Sequence, residues 1–413
     1  MRLGDTANDA AAQYGKPLTG VRILAVEQMQ ALPWGTQLLA RLGAEVVKIE
    51  HPRDGESGRG SLPAMLDPDG RKVGCIYVRN NLGKKSVGID LKKGRDLIME
   101  LAGKFDIFAE NFKGGALTRM GLGYEALSER YPKLIYVSVS GFGNTVPTAY
   151  DGWPAYAGVA EAMSGIYEFG RHEGDLPRIS PVGALGDIGS AVFATIGILA
   201  ALRHRDQTGL GQYVDIAMYD CMVAMADIVT NTYSMGVTPK HGATPGLIMT
   251  SFRATDGFFM VQVGREHQFP AFAKTIGRED WIGNPDFDRS KWMDITETVI
   301  RDAVEKWAAD KTKREACFAL AAVGVACAPV HDAEDVINDA HVQDRNMLVE
   351  VPRVDGVDRP ALVPGNPVKL SKVQEGPEAR MPWLGEHTED VLTTELGLTE
   401  SELDQLRADG VIN

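Results

Sequence analysis

Cysteine is scarce in this chain. The four residues, Cys75, Cys221, Cys317 and Cys327, lie far apart, with no CxxC pair and no histidine spaced to complete a metal set. That scarcity argues against a disulfide framework and against zinc, so we expect reduced thiols in a cytoplasmic protein with no metal site. Basic charge is also in deficit. The formal net charge is −13, which works against nucleic acid as the main partner and obliges any anionic ligand to find a local basic patch. The longest apolar run falls short of a bilayer span, and neither a signal-like leader nor an internal repeat is evident, so we expect no membrane segment. The dinucleotide fingerprint is missing as well. The first strand, Val21 to Val26, runs into Glu27-Gln-Met-Gln-Ala-Leu-Pro-Trp-Gly35 without G-x-G-x-x-G, and Gly209-Leu-Gly211 precedes a strand instead of following one. A nicotinamide cofactor is therefore unsupported.

What is present is an ordinary globular composition, 44% hydrophobic and 24% charged over 413 residues, enough for two domains. Residues 1–17 read as a loose polar arm. A helix from Pro33 to Leu42 and a strand from Glu45 to Glu50 complete a βαβ opening, with Pro33 near the helix start and Gly43 beyond its end. Residues 53–80 read as a long loop, a candidate flap. A helix from Gly94 to Ala102 and strands at Phe105–Glu110 and Leu134–Val139 continue the α/β alternation. A long apolar helix is expected from Met218 to about Met235. Beyond it a smaller α+β unit holds a strand at Gly257–Val263 and helices at Phe269–Ile276, Thr296–Ala309 and Lys313–Val323.

The most informative stretch is Gly183-Ala-Leu-Gly-Asp187, followed by a largely apolar run from Ile188 to Leu202 that is closed by Arg203-His-Arg205. Small and bulky residues alternate along the run, as in a helix packed on most sides. Asp187 then falls at or near the N-terminus of a buried helix, where the dipole favours its ionised form. A helix cap and a carboxylate nucleophile both fit that position, and local physics does not separate them.

Taken with Arg205-x-x-Thr-Gly-x-Gly-Gln-x-Val-Asp215, this stretch resembles the core of the family III CoA transferases, the formyl-CoA and carnitine CoA-transferase group. The likeness extends over about residues 18–413. It includes Gln30-Ala-Leu-Pro-Trp-Gly35, Leu42-Gly-Ala-Glu-Val-Val-Lys-Ile-Glu-His-Pro52, Asn81-x-x-Lys-Lys-Ser86, Glu110-Asn-Phe-x-x-Gly115 with Arg119-Met-Gly121, and Ser140-Gly-Phe-Gly143. The resemblance implies Asp187 as the nucleophile that attacks an acyl-CoA thioester, with Gln30 beside the reacting carbonyl. It implies CoA contacts at His51, Lys84, Lys85, Asn111, Phe112, Arg119, Met120 and Ser140. His51 stands where relatives often carry Arg, so Arg53 or Arg59 is a substitute for phosphate binding.

The implied fold is a large doubly wound, Rossmann-like α/β domain with a smaller α+β domain, in an interlocked dimer. The expected boundaries are 18–217 for the first part of the large domain, 218–240 for a linker helix, 241–330 for the small domain and 331–413 for the return. The implied reaction moves CoA from an acyl-CoA to a free carboxylic acid, with no permanently bound cofactor. A racemase of the same family is disfavoured, because Tyr150 replaces the histidine of the racemase branch and a phenol with a pKa of about 10 is a poor base at neutral pH. A CoA-binding subunit of a heteromeric transferase is the other alternative to a homodimer. Gly242-Ala-Thr-Pro-Gly246 is the nearest equivalent of the family's glycine-rich lid. His267, Glu386 and His387 read as helix-start residues.

Overall fold

The structure is a computed structural model that describes residues 1–169, 171, 174–236 and 246–413; residues 242–245 of the glycine-rich stretch lie outside the described residues. The chain divides into two compact units. One comprises Met1–Ile166, Ile179–Asp227 and Ala340–Asn413, the other Tyr167–Arg178 and Ile228–Asp339. The boundaries differ from those read in the sequence. The first unit resumes at Ala340 instead of 331, and Tyr167–Arg178 groups with the second unit.

In the first unit, β1 (Arg22–Val26), β2 (Glu45–Glu50), a hairpin of β3 (Ala64–Leu66) and β4 (Lys72–Gly74), β5 (Lys85–Gly88), β6 (Ile107–Glu110), β7 (Ile135–Ser140) and β8 (Tyr213–Ala217) follow one another. Six of these form one sheet in the order β5-β2-β1-β6-β7-β8, and every neighbouring pair is parallel. Counted along the chain this is the 3-2-1-4-5-6 order of a doubly wound sheet. Alternation along β1 shows both faces covered. Leu24 and Val26 join one core with Ile98, Leu127, Leu392 and Leu403, while Ile23 and Ala25 join another with Leu32, Leu39, Ala194 and Ile198.

The apolar run after Asp187 is part of a helix from Leu185 to Thr208, which packs on the second face. By length and hydropathy alone it could cross a membrane, yet Ala191, Ala194, Ile198, Ala201 and Leu202 along it are buried in the sheet's core. Small residues let it approach the helix Ala31–Arg41 closely. A Cβ added at Gly35 would sit 2.9 Å from the Ala191 carbonyl oxygen. The stretch from Met218 is not one helix. It breaks at Ala226 into Met218–Met225 and Asp227–Ser234. The N-terminal residues are no loose arm either, since Arg2 and Ala7 bridge to Glu350 and Glu375 and Ala11 is buried.

The second unit is α+β. Its sheet holds β9 (Ile248–Ala254), β10 (Gly257–Val263) and β11 (Ala326–Pro329) in the antiparallel order β11-β10-β9. Its core gathers Phe252, Phe259, Trp281 and Trp292 with residues of the helices Phe269–Thr275, Arg301–Trp307 and Lys313–Ala321.

Candidate active site

In a doubly wound sheet the connections leave β1 and β6 in opposite directions, so their carboxyl ends diverge and leave a crevice. A cleft of about 420 Å³ lies there, its walls including Gln28, His51, Glu56, Ser57, Phe112 and Met120. Asn111, the first residue past β6, ties the end of that strand to the turn after β1. Its side-chain oxygen accepts the Gln28 N–H at 2.8 Å, and its amide donates to the Gln28 carbonyl at 2.8 Å. Just before it Glu110 is buried, and burial pushes its carboxyl up to about 8, while the Phe112 N–H donates to it at 2.8 Å.

The turn after β1 is held in an unusual conformation. Met29 has φ 60°, in the left-handed region that non-glycine residues rarely adopt. Glu56 Oε2 accepts the Met29 N–H at 2.9 Å, and Asn80 donates to the Met29 carbonyl at 3.3 Å. A left-handed non-glycine residue costs about 1–2 kcal/mol, whereas a hydrogen bond to a charged group contributes about 1.5–3 kcal/mol. The clamp therefore outweighs the strain. Glu56 is itself anchored by Lys48 at 3.3 Å and lies deep in the fold. Residues 53–80, which the sequence suggested as a loop and candidate flap, instead contain the β3–β4 hairpin and the helix Cys75–Asn80, and their first part is pinned by Glu56. Arg59 reinforces this with paired bonds of 2.7 Å to Glu50.

Two helices bring further groups to the same edge of the sheet. Ala31–Arg41 leaves β1 and Leu185–Thr208 leads into β8, so each runs from the carboxyl edge back toward the amino edge, as parallel crossovers require. Gln30, which precedes the first helix, and Asp187, in the first turn of the second, therefore both lie at the carboxyl edge. The N-cap of the long helix is Ala184, not Asp187. Burial, with the Glu161 carboxylate as a second cause, pushes the Asp187 carboxyl up to about 6. This reverses the effect expected from the helix dipole: desolvation and like charge win. Glu161 is fully buried on the helix Ala157–Met163 and accepts the Gly186 N–H at 3.0 Å.

Comparison with known proteins settles the family. The CoA-transferase family III profile matches residues 18–388. The chain belongs to CoA-transferase family III. It is similar to the succinyl-CoA:mesaconate CoA-transferase of Haloarcula hispanica, 33% identical over 91% of this chain and 95% of that one. It is also similar to the succinyl-CoA–L-malate CoA-transferase beta subunit of Chloroflexus aurantiacus, 30% identical over 96% and 98%. Among solved structures, a CaiB/BaiF family protein from Brucella suis superposes with a TM-score of 0.79 at 28% identity, covering 92% of this chain and all of that one.

Against this family III background the structure places the site residues read from the sequence as follows. His51, Phe112 and Met120 line the cleft, and Asn111 braces the Gln28 wall from the end of β6. His51 turns Nδ1 toward Asp54 at 3.2 Å and Nε2 toward Asp90 at 3.7 Å. Arg53 and Arg119 are exposed and have no ion-pair partner among the described residues, which leaves both guanidinium groups available to an anion. Ser140 is buried at the end of β7, where its hydroxyl accepts the Gly143 N–H at 3.0 Å and fixes the turn beside Tyr150.

Two lysines are corrected. Lys84 is buried, bonded to Glu27 at 2.6 Å, the Pro33 carbonyl at 2.8 Å and Asn81 at 3.0 Å, so its three donors are spent inside the fold. Burial lowers its pKa to about 8 against the pull of Glu27. Lys85 begins β5 beside Glu45, which begins β2, and the 2.9 Å pair lies at the amino edge, opposite the cleft. Arg59 is likewise engaged, by Glu50. The glycines flanking Asp187 do not provide open space: a Cβ at Gly186 would meet the Ala157 backbone at 3.0 Å, and one at Gly189 the Met225 sulfur at 2.4 Å. They serve close packing. Glu161 and Glu56 escaped the sequence reading, because nothing local marks a carboxylate whose partner lies in another segment.

Proposed function

We propose that this family III transferase carries CoA from an acyl-CoA donor to a free carboxylic acid through covalent intermediates on Asp187. The Asp187 carboxylate attacks the thioester carbonyl; the carbon–sulfur bond breaks and CoA thiolate leaves, giving an acyl-aspartyl anhydride. The thiolate then attacks the Asp187 carbonyl of that anhydride, releasing the donor acid and forming an aspartyl-CoA thioester. The acceptor carboxylate repeats both steps in reverse and restores Asp187. Gln30 donates to the developing oxyanion. The Gly186 and Ile188 N–H groups, other candidates for that task, already bond Glu161 and the Ala184 carbonyl. Arg53, Arg119 and His51 bind the phosphates of CoA around the cleft.

The observation that carries this reading is a part-buried aspartate set at a helix N-terminus against a second, buried carboxylate. Such a group stays anionic at neutral pH yet is more basic, and so a better nucleophile, than an exposed aspartate. Because both relatives described above are named for succinyl-CoA, that donor is the first to supply. The test is hydroxylamine trapping during turnover, which converts Asp187 to its hydroxamate on the peptide spanning residues 179–203. Transfer that proceeds while that peptide stays unmodified excludes the covalent route. One relative is a beta subunit, which favours a heteromeric transferase as the second reading. Assay of the chain purified alone separates the two.

A further inference from the structure

We infer that Glu56 is a positioning residue for the transfer reaction, acting on Gln30 through the Met29 turn and tying ligand seating in the cleft to the geometry at Asp187. The inference rests on the proposed role of Gln30 and extends it to a residue that does not touch the reacting atoms.

The turn Gln28-Met29-Gln30 has its preceding peptide groups claimed by side chains from three separate segments. Asn111 takes both the N–H and the carbonyl of Gln28. Glu56 takes the N–H of Met29, and Asn80 its carbonyl. Such over-determination is what allows a non-glycine residue to stay at φ 60°, and strained backbone of this kind persists where a neighbouring group must be aimed. The neighbour is Gln30, whose carbonyl already accepts the Trp34 N–H and opens the next helix. Its direction is therefore fixed from one side by the helix and from the other by the clamp.

Glu56 differs from the other two clamps in what else it touches. Its carboxylate also accepts the Gly58 N–H at 2.5 Å and pairs with Lys48, and its own N–H donates to Glu50 at 3.1 Å. Beside it the Ser57 hydroxyl donates to the Gln28 side chain at 3.1 Å. Gln28, Glu56 and Ser57 are at once members of the clamp and walls of the cleft. A ligand seated against that wall thus bears on the segment that holds Met29, and its seating is transmitted to Gln30 across one buried carboxylate.

The test is a double-mutant cycle with steady-state kinetics, using succinyl-CoA and a panel of carboxylic acids, with Asp187→Ala as control. Glu56→Gln lowers kcat by between about tenfold and a hundredfold, as misplacement of a catalytic group does, while KM for the acyl-CoA changes little. In a Gln30→Ala background the same substitution costs nothing further in kcat, because its effect runs through Gln30. Equal losses in both backgrounds, a rise in KM with kcat intact, or no effect of Glu56→Gln overturns the inference. If Glu56→Gln does not fold, as judged by its thermal transition, Asn80→Ala, which removes the other bond to Met29, is carried through the same cycle and read the same way. An Asp187→Ala protein that still transfers CoA defeats the underlying mechanism. An inactive Asp187→Ala protein with an additive cycle defeats only the role of Glu56.

Discussion

The Asp187 carboxyl, raised from 3.8 to about 6, sets a pH dependence that can be worked through. In the proposed mechanism attack on the thioester needs the anion, so turnover is expected to fall as pH drops through about 6 and to be flat above it. At pH 7 about nine-tenths of the enzyme carries the anion, and at pH 5 about one-tenth does, from a single titration at the raised value. Burial is the larger cause of the rise and Glu161 the second. Glu161→Gln keeps an oxygen to accept the Gly186 N–H but removes the charge, so the acid limb moves to lower pH and stops above 3.8, because burial remains. The variant thus keeps a larger fraction of its plateau rate at pH 5 than the parent does. Stability follows the opposite sense. The folded protein holds this proton more tightly than the unfolded chain, so the penalty for ionised Asp187 is absent below 3.8, grows between 3.8 and about 6, and is complete above. Asp187→Asn therefore unfolds at higher temperature at pH 7, by an amount corresponding to about 1–3 kcal/mol, and the gain vanishes toward pH 4. The assay is kcat/KM from pH 4.5 to 8 for both proteins. A flat profile down to pH 5, or an acid limb unmoved by Glu161→Gln, refutes the reasoning.

Asp187→Ala is expected to abolish transfer while CoA affinity, measured by calorimetry, stays within a few-fold of the parent, since the proposed phosphate contacts, Arg53 and Arg119, lie on other segments. Arg119→Ala weakens CoA by about tenfold or more through loss of a charge-assisted bond, whereas Lys85→Ala leaves CoA affinity unchanged; equal losses would place both residues on one surface. Lys84→Met removes the nearer of the two ammonium groups facing Glu27 and leaves it Lys48 at 3.9 Å and the Thr36 hydroxyl, so stability falls by less than the roughly 3–5 kcal/mol of a fully unpaired buried charge, read as a shift in the denaturant midpoint. A variant as stable as the parent would show that Lys48 and Thr36 suffice to hold Glu27.

Much of the large sheet was legible because each of its central strands is a short apolar run bounded by turn residues, and because parallel strands buried on both faces lack the polar alternation of a half-exposed sheet. The carboxyl ends were legible for the same reason: Glu110-Asn111-Phe112 follows directly on a strand, so a crevice position could be read from order alone. The two lysines show where this stopped. Asn81-x-x-Lys84-Lys85 resembles a basic turn, but the fate of Lys84 is decided by Glu27, 57 positions earlier, and sequence adjacency carries no trace of that meeting. Strand direction separates the pair further, since Lys84 ends up inside the sheet edge and Lys85 at its amino end. Ala226 gave no warning of the helix break, being a good helix former, and there the tertiary path overrides propensity. Met29 is the same lesson in reverse, since no residue-type preference marks a methionine in left-handed backbone.

Gly35 has a consequence of another kind. It is the spacer between the helix that Gln30 opens and the helix that carries Asp187, and it stands against a carbonyl oxygen that cannot swing aside. Adding a single methyl group there would wedge the two helices apart by a fraction of an ångström, leaving the cleft walls on β1, β2 and β6 where they are. Proximity catalysis responds steeply to such shifts, with about a hundredfold lost for 1 Å. On the roles proposed for Gln30 and Asp187, the hydrogen atom that glycine carries in place of a side chain acts as a gauge of distance for the reaction, set about a helical turn away from either group that it spaces.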